Sequence, residues 1–313
     1  LTNRIIDLLN EKVGAKMYHT DNCIVINCFE EYITEILNSN ENIGTIKPQR
    51  FISYRGQPDV KYNIMPAIGR GRRFSIDNSI MDQERNLIEM AKNKLPNIFN
   101  RGLTPINLLA LLQHYGIPTR LLDITSNPLV ALYFASSEGS TDGEVIVFEH
   151  KDSVVNYPIF NAIAESYKFA HSTITTLDYF YGCAIQQKYF EEQRYELKEE
   201  SNASGGEWIR RCCNQELFVI SAQEQSERQR RQQGLYILFP NKIVDCASPY
   251  FEKVIAEIPK DHEQIKKRII IKKDLKADIR KKLEILGISN ATLFYDNIDA
   301  ICQDIVYQCR NKI

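Results

Sequence analysis

The stretch 105–148 constrains the fold more than any other part of this chain. Residues 105–113 (PINLLALLQ) read as a helix with Leu108, Leu109, Leu111 and Leu112 in its apolar run. Pro105 suits the first turn, where its missing N–H has no intrahelical partner to lose. Gly116 and Pro118 end the helix. Leu121-Leu122-Asp123-Ile124 then forms a short apolar strand, and Asn127-Pro128 starts a second helix over 128–138 (PLVALYFASSE). There the Asn side chain is the cap and Pro takes the first helical position. Glu144–Phe148 (EVIVF) is a strand. A helix, a strand, a second helix and a second strand therefore follow one another closely.

The rest of the chain mixes the two element types without a regular βαβ alternation. Helices are predicted over 4–14, over 27–38 with Phe29, Ile33, Ile36 and Leu37 on one face, over 79–95 up to Pro96, over 274–286 up to Gly287, and over 297–310. Strands are predicted at Phe51–Tyr54, Leu217–Ser221, Leu235–Phe239 and Arg268–Ile271. The middle, near 157–215, reads as a charged helical insertion broken by a surface loop at 201–206 (SNASGG). This mixture argues for the α+β class rather than a doubly wound sheet. No GxGxxG or GxxxxGK[ST] run occurs. The expected organisation is an N-terminal helical segment, 1–50, followed by one large domain, 51–313.

Charge and cysteine usage exclude several classes. A formal net charge of −1 gives no bulk attraction to nucleic acid or anionic lipid. No apolar run approaches the ~20 residues that span a bilayer, and no signal-peptide pattern precedes the first predicted helix. No membrane association and a cytoplasmic location are expected. The eight cysteines form no CxxC pair and no zinc-like spacing with histidine. They read as free thiols, with no metal expected.

Three segments carry a family resemblance. The first is Tyr54-Arg55-Gly56-Gln57, with Pro66 and Arg70 after it. The second runs Gln113-His114-Tyr115-Gly116-Ile117-Pro118-Thr119-Arg120-Leu121-Leu122-Asp123 and on through Asn127-Pro128 to Ala135. The third is Arg228, then Gln232-Gln233-Gly234-Leu235-Tyr236. In this order they resemble the FRG domain, named for its Phe/Tyr-Arg-Gly motif. The same segments also resemble the core motifs of Arg-Ser-Glu-type ADP-ribosyltransferases. That likeness implies a split mixed sheet with surrounding helices, and NAD as substrate. The third motif departs from those enzymes: Gln232-Gln233-Gly234 stands where they carry Glu-x-Glu.

The second resemblance implies a set of roles. Arg55 would hold the NAD diphosphate, since a guanidinium grips phosphate oxygens in two places and keeps its charge. The other reading pairs Arg55 with a buried carboxylate. Gly56 would let the backbone approach the ligand. Ser126 would position the ribose, together with Thr125; alternatively both serve the cap of the next helix. Gln232 would contact the reacting sugar without supplying a charge, with Glu224 and Glu227 upstream as substitutes or as a solvated charge run. His114 is a candidate general base or a structural hydrogen-bonding group. Arg120 is either a second phosphate ligand or half of a structural ion pair. Tyr54, Gln57, Arg70 and Thr119 complete the expected cofactor-binding set. Two basic clusters, Arg70 with Arg72 and Arg73, and Arg228 with Arg230 and Arg231, suit a polyanionic ligand. The expected function is an NAD-dependent ADP-ribosyltransferase-like enzyme, as a bacterial defence or toxin effector, with a protein or nucleic acid as acceptor. The alternatives are a non-catalytic nucleotide- or nucleic-acid-binding module on the same scaffold and a protein–protein or sensor module of a larger defence protein.

Overall fold

Strand β4 (Gly143–His150) is buried on both faces along nearly all its length, which places it inside a sheet rather than at an edge. The structure is a computed structural model that describes residues 22–40, 50–70, 80–99, 102–137, 140–150, 158–170, 174–190, 205–215, 217–222 and 226–294. The predicted helices 4–14 and 297–310, along with Arg72, Arg73 and Glu224, lie outside the described residues. The remaining strands are β1 (Cys23–Ile26), β2 (Phe51–Gln57), β3 (Leu121–Thr125), β5 (Ile174–Thr176), β6 (Phe218–Ile220), β7 (Gly234–Leu238), β8 (Lys242–Val244), β9 (Tyr250–Glu252) and β10 (Ile265–Ile271). Of the ten strands among the described residues, seven form one mixed sheet in the order β1-β10-β4-β2-β3-β7-β6, and β5-β9-β8 form a small second sheet. Only β1 and β10 run parallel in the large sheet; its other pairs are antiparallel. The fold is α+β, as expected.

The sheet is continuous where a split one was expected, but its strands are joined unequally. β2 pairs with β4 from Phe51 to Gln57, whereas β2 and β3 meet at one residue pair, Tyr54 with Thr125. Side chains alternate along a strand, so this pair fixes which residues share a face. On the face of Tyr54 the sheet carries two separate cores. One gathers Tyr54, Val145, Val147, Ile269 and Ile271 beneath the helices Phe29–Asn40 and Pro128–Ala135. The other gathers Leu121, Tyr236, Leu238 and Phe218 with Leu108 and Leu109 of helix Pro105–His114. The β2–β3 seam is the boundary between them. On the opposite face a single apolar layer, including Leu122, Ile124, Ile146, Phe148 and Ile237, runs beneath both halves.

Local chemistry explains the helices that flank the seam. Thr104 caps Pro105–His114 by accepting from the Asn107 N–H, and Asn127 caps Pro128–Ala135 by accepting from Leu129 and Val130. The Pro128 helix lies directly on strand backbone. A Cβ at Gly56 would sit 1.8 Å from the Ala131 carbonyl oxygen, and one at Gly143 would sit 2.1 Å from that of Ala135. Gly56, expected to admit a ligand, lines the larger cavity of the seam and also admits a helix against its backbone. Gly205 and Gly206 are corrected. Read as part of a surface loop, they begin helix Gly205–Gln215 instead. A Cβ on Gly205 would meet the Tyr181 ring at 2.0 Å, and the Gly206 N–H donates to Asp178 Oδ1 at 2.8 Å. Helices from the charged middle also pack tightly, with Ile159, Phe160, Phe180 and Trp208 in the same core as Leu108.

Two buried ionic clusters fix elements far apart in sequence. Arg120, fully buried, donates from Nε and Nη2 to the two oxygens of Glu84 at 2.8 and 2.6 Å. Its Nη1 donates to the Phe239 carbonyl and to Asn241 Oδ1. Glu144, also fully buried, accepts from Arg268, Lys260 and Gln57. A buried charge needs such partners, because desolvation otherwise costs several kcal/mol.

One buried group sets a pH dependence. His150 stacks on Phe51 at 4.6 Å and lies 2.8 Å from Ser53 Oγ through Nε2. Burial pushes its pKa down to about 4. The unfolded chain therefore binds a proton that the native chain refuses, so this contribution to stability is complete above about pH 6.5 and is lost as pH falls toward 4. The slope is at most ~1.4 kcal/mol per pH unit. Urea midpoints at pH 7 and pH 5 should differ less in His150→Gln than in the wild type. An equal difference would mean that the native histidine carries a proton at pH 5.

Candidate functional site

Past the Tyr54–Thr125 pair, β2 is held only by β4, and the seam opens. Arg55 stands at that point. Its Nη1 crosses the seam to donate to the Asp123 main-chain oxygen at 2.6 Å, and its Nε donates to Gln57 Oε1 at 3.3 Å. Burial lowers the Arg55 pKa to about 10, the Asp123 carboxylate opposes that fall, and Arg70 adds to it. Arg55 thus stays cationic at neutral pH. Gln57 in turn donates to Glu144 at 3.1 Å, which ties Arg55 to the buried ionic cluster behind it.

Two adjoining cavities follow the seam. The larger, about 280 Å³, is lined by Tyr54, Arg55, Thr125, Phe134, Arg228 and Gln232 among others. The smaller, about 120 Å³, is lined by Gln113, His114, Ser226, Gln229 and Tyr236 among others. Asp123, Ile124, Arg228 and Gln232 line both. The Arg228 guanidinium lies 4.5 Å from the centre of the Phe294 ring, a cation–π contact that leaves its N–H edge available. Gln232 donates from Nε2 to the Leu293 carbonyl at 3.3 Å. Asp123 accepts at Oδ1 from Gln113 Nε2 at 2.9 Å, and Gln113 accepts from the Thr119 hydroxyl at 2.6 Å. The buried Nε2 of Gln229, beside the smaller cavity, has no hydrogen-bond partner among the described residues.

The expected residues divide into those that meet here and those that do not. Arg55, Thr125 and Gln232 line the larger cavity, and exposed His114 lines the smaller. Thr125 also latches β3 to the third segment, donating to the Gln232 carbonyl at 2.6 Å and accepting from the Asn127 N–H at 2.9 Å. Tyr54 touches the larger cavity, but its ring is core and its hydroxyl accepts from Asn40 at 2.8 Å. Gln57 is buried behind Arg55. Ser126 lines neither cavity; its N–H and hydroxyl both turn to Gln233. Arg70 is exposed, and its Nε donates to the Met65 carbonyl. Thr119 is buried and acts through Gln113. Arg120 is corrected outright: each guanidinium nitrogen is engaged inside the protein, so it is the structural ion pair and not a phosphate ligand. Glu227 is exposed and paired with Arg230 and Arg231, the solvated charge run of the two readings.

Sequence reasoning passed over Asp123, Gln113 and Phe134 as site residues, whereas Arg228, expected in a basic cluster for a polyanionic ligand, lines both cavities. For Asp123 a signal existed, since a carboxylate inside Leu-Leu-Asp-Ile-Thr must either find a partner or face an opening.

Fold and site together define an α+β protein with an arginine-lined cleft at a sheet seam. The family model of the FRG domain matches residues 50–144. The match takes in the Tyr54-Arg55-Gly56 and Gln113–Asp123 segments and stops before Arg228 and Gln232. Pairing of β3 with β7 brings that third segment to the same seam. No curated protein and no solved structure matches the chain. No helix among the described residues is long and apolar enough to cross a membrane.

Proposed function

We propose that the seam cleft binds NAD and that the chain transfers its ADP-ribosyl group. One observation carries this reading: β2 and β3 part beside Arg55, and the cavity that opens is lined by two guanidinium groups, Arg55 and Arg228. A diphosphate suits that pair, because charge-assisted hydrogen bonds are the strong ones and a guanidinium donates them in a fixed fork. Phe134 gives the same cavity an apolar surface for a ring. The resemblance of the three segments to ADP-ribosyltransferases supports transfer as the reaction, with a protein or nucleic acid as acceptor.

A second reading, a non-catalytic nucleotide-binding module, is favoured by Gln232. It is neutral and donates to a main-chain carbonyl where the similar enzymes carry a glutamate. Two measurements on the purified chain separate the readings: thermal protection by NAD and nicotinamide release in the presence of cell lysate. A ligand that binds only the native state raises the unfolding temperature. Protection with release supports transfer, and protection without release supports the binding module. Arg55→Ala is expected to weaken NAD binding by roughly 10- to 100-fold, the worth of a hydrogen bond to a charged group. Absence of protection in the wild type would remove NAD as the ligand.

A further inference from the structure

Leaving nicotinamide puts positive charge on the ribosyl C1′ and its ring oxygen, and that charge needs an anion to face it. Gln232 has none to offer. Among the described residues lining the two cavities, Asp123 is the one carboxylate, and it belongs to both. Its Oδ1 is held by Gln113, Gln113 is held by the Thr119 hydroxyl, and that hydroxyl accepts from the Leu121 N–H. Its Oδ2 has no hydrogen bond among the described residues. Its main-chain oxygen accepts from Arg55, so the phosphate-holding group and the carboxylate are fixed to one residue.

Resting on the reading that this cleft cleaves NAD, we infer that Asp123 supplies the carboxylate that stabilises the ribosyl cation. The smaller cavity, which Asp123 also lines, admits the hydroxyl acceptor. In this step the C1′–N bond breaks and its electron pair leaves with the nicotinamide nitrogen, neutralising the pyridinium. The acceptor oxygen bonds to C1′, and its proton passes to the Asp123 carboxylate and then to solvent. Because Asp123 lines both cavities, it can face the donor sugar in one and the nucleophile in the other.

The test is Asp123→Asn, which keeps an oxygen for Gln113 and loses the charge. Nicotinamide release from NAD is expected to fall on the order of 100-fold or more, as when a preorganised electrostatic group is removed. Thermal protection by NAD is expected to persist. Release at the wild-type rate in the variant overturns the role of Asp123 and leaves the NAD reading standing. No release by the wild type overturns both the role of Asp123 and the cleavage of NAD in this cleft. Should the Asn variant fail to fold, Asp123→Glu and Asp123→Gln are compared: the charged one alone is expected to turn over, and equal rates overturn the assignment.

Discussion

Glu84→Ala is expected to destabilise the chain by roughly 3–5 kcal/mol, the usual cost of stranding one member of a buried ion pair. The carboxylate accepts both parallel N–H bonds of Arg120, and the two side chains are 5% and 0% exposed. Truncation leaves a guanidinium with two donors unmet in a site closed to water. The lost contact also unties helix Glu84–Lys94 from β3, since Glu84 is the first residue of that helix and Arg120 directly precedes the strand. Urea unfolding should show a midpoint far below that of the wild type. A double variant, Glu84→Leu with Arg120→Met, should be less damaged than the sum of the single changes, because no lone charge stays behind. If Glu84→Ala unfolds at the wild-type midpoint, the pair contributes nothing and water reaches Arg120.

Gly56→Ala is expected to be as severe, and for a reason unrelated to charge. The added methyl would lie 1.8 Å from the Ala131 carbonyl oxygen and 2.8 Å from the Ala135 nitrogen. Both are main-chain atoms of a helix buried against the sheet, so no side chain can swing away. Relief demands that the Pro128 helix lift off β2, which opens the core of Tyr54, Val130 and Ala131. Overpacking of this kind costs ~1–3 kcal/mol when side chains give way, and here backbone must give way. Expression of folded protein, read by a cooperative thermal transition, should be lost. A folded variant with ordinary stability would show that the helix can move at little cost.

Much of the framework was legible because its signals are local. Pro105, Gly116, Asn127 and Pro128 mark helix ends by backbone chemistry that needs no tertiary partner. The apolar runs of β3, β4, β7 and β10 stand out for the same reason. β5, β8 and β9 run only three residues each, too few for alternation to register. The site was legible where a residue faces the seam by its place in a strand, as Arg55 does. It was illegible where a partner decides the outcome. Nothing near Arg120 announces Glu84, 36 residues upstream. Nothing near Gly56 announces a helix that begins far downstream. Ser126 follows Thr125 directly, yet its bonds to Gln233 turn it away.

The order of strands across the seam limits how the chain can be cut. β2 lies on one side, β3 on the other, β4 back on the first, β6 and β7 on the second, and β10 on the first again. The polypeptide stitches the halves together several times, so neither half is a contiguous piece of sequence. Excision at the limits of the matched segment, 50–144, would keep β2 and β3 and sever β4 at its second residue. Arg268 and Lys260 would go with the discarded part, leaving Glu144 without its cations, and β3 would present a bare edge where β7 belongs. The recognisable motif and the autonomous folding unit are therefore different lengths of chain, and the longer one is set by long-range pairing.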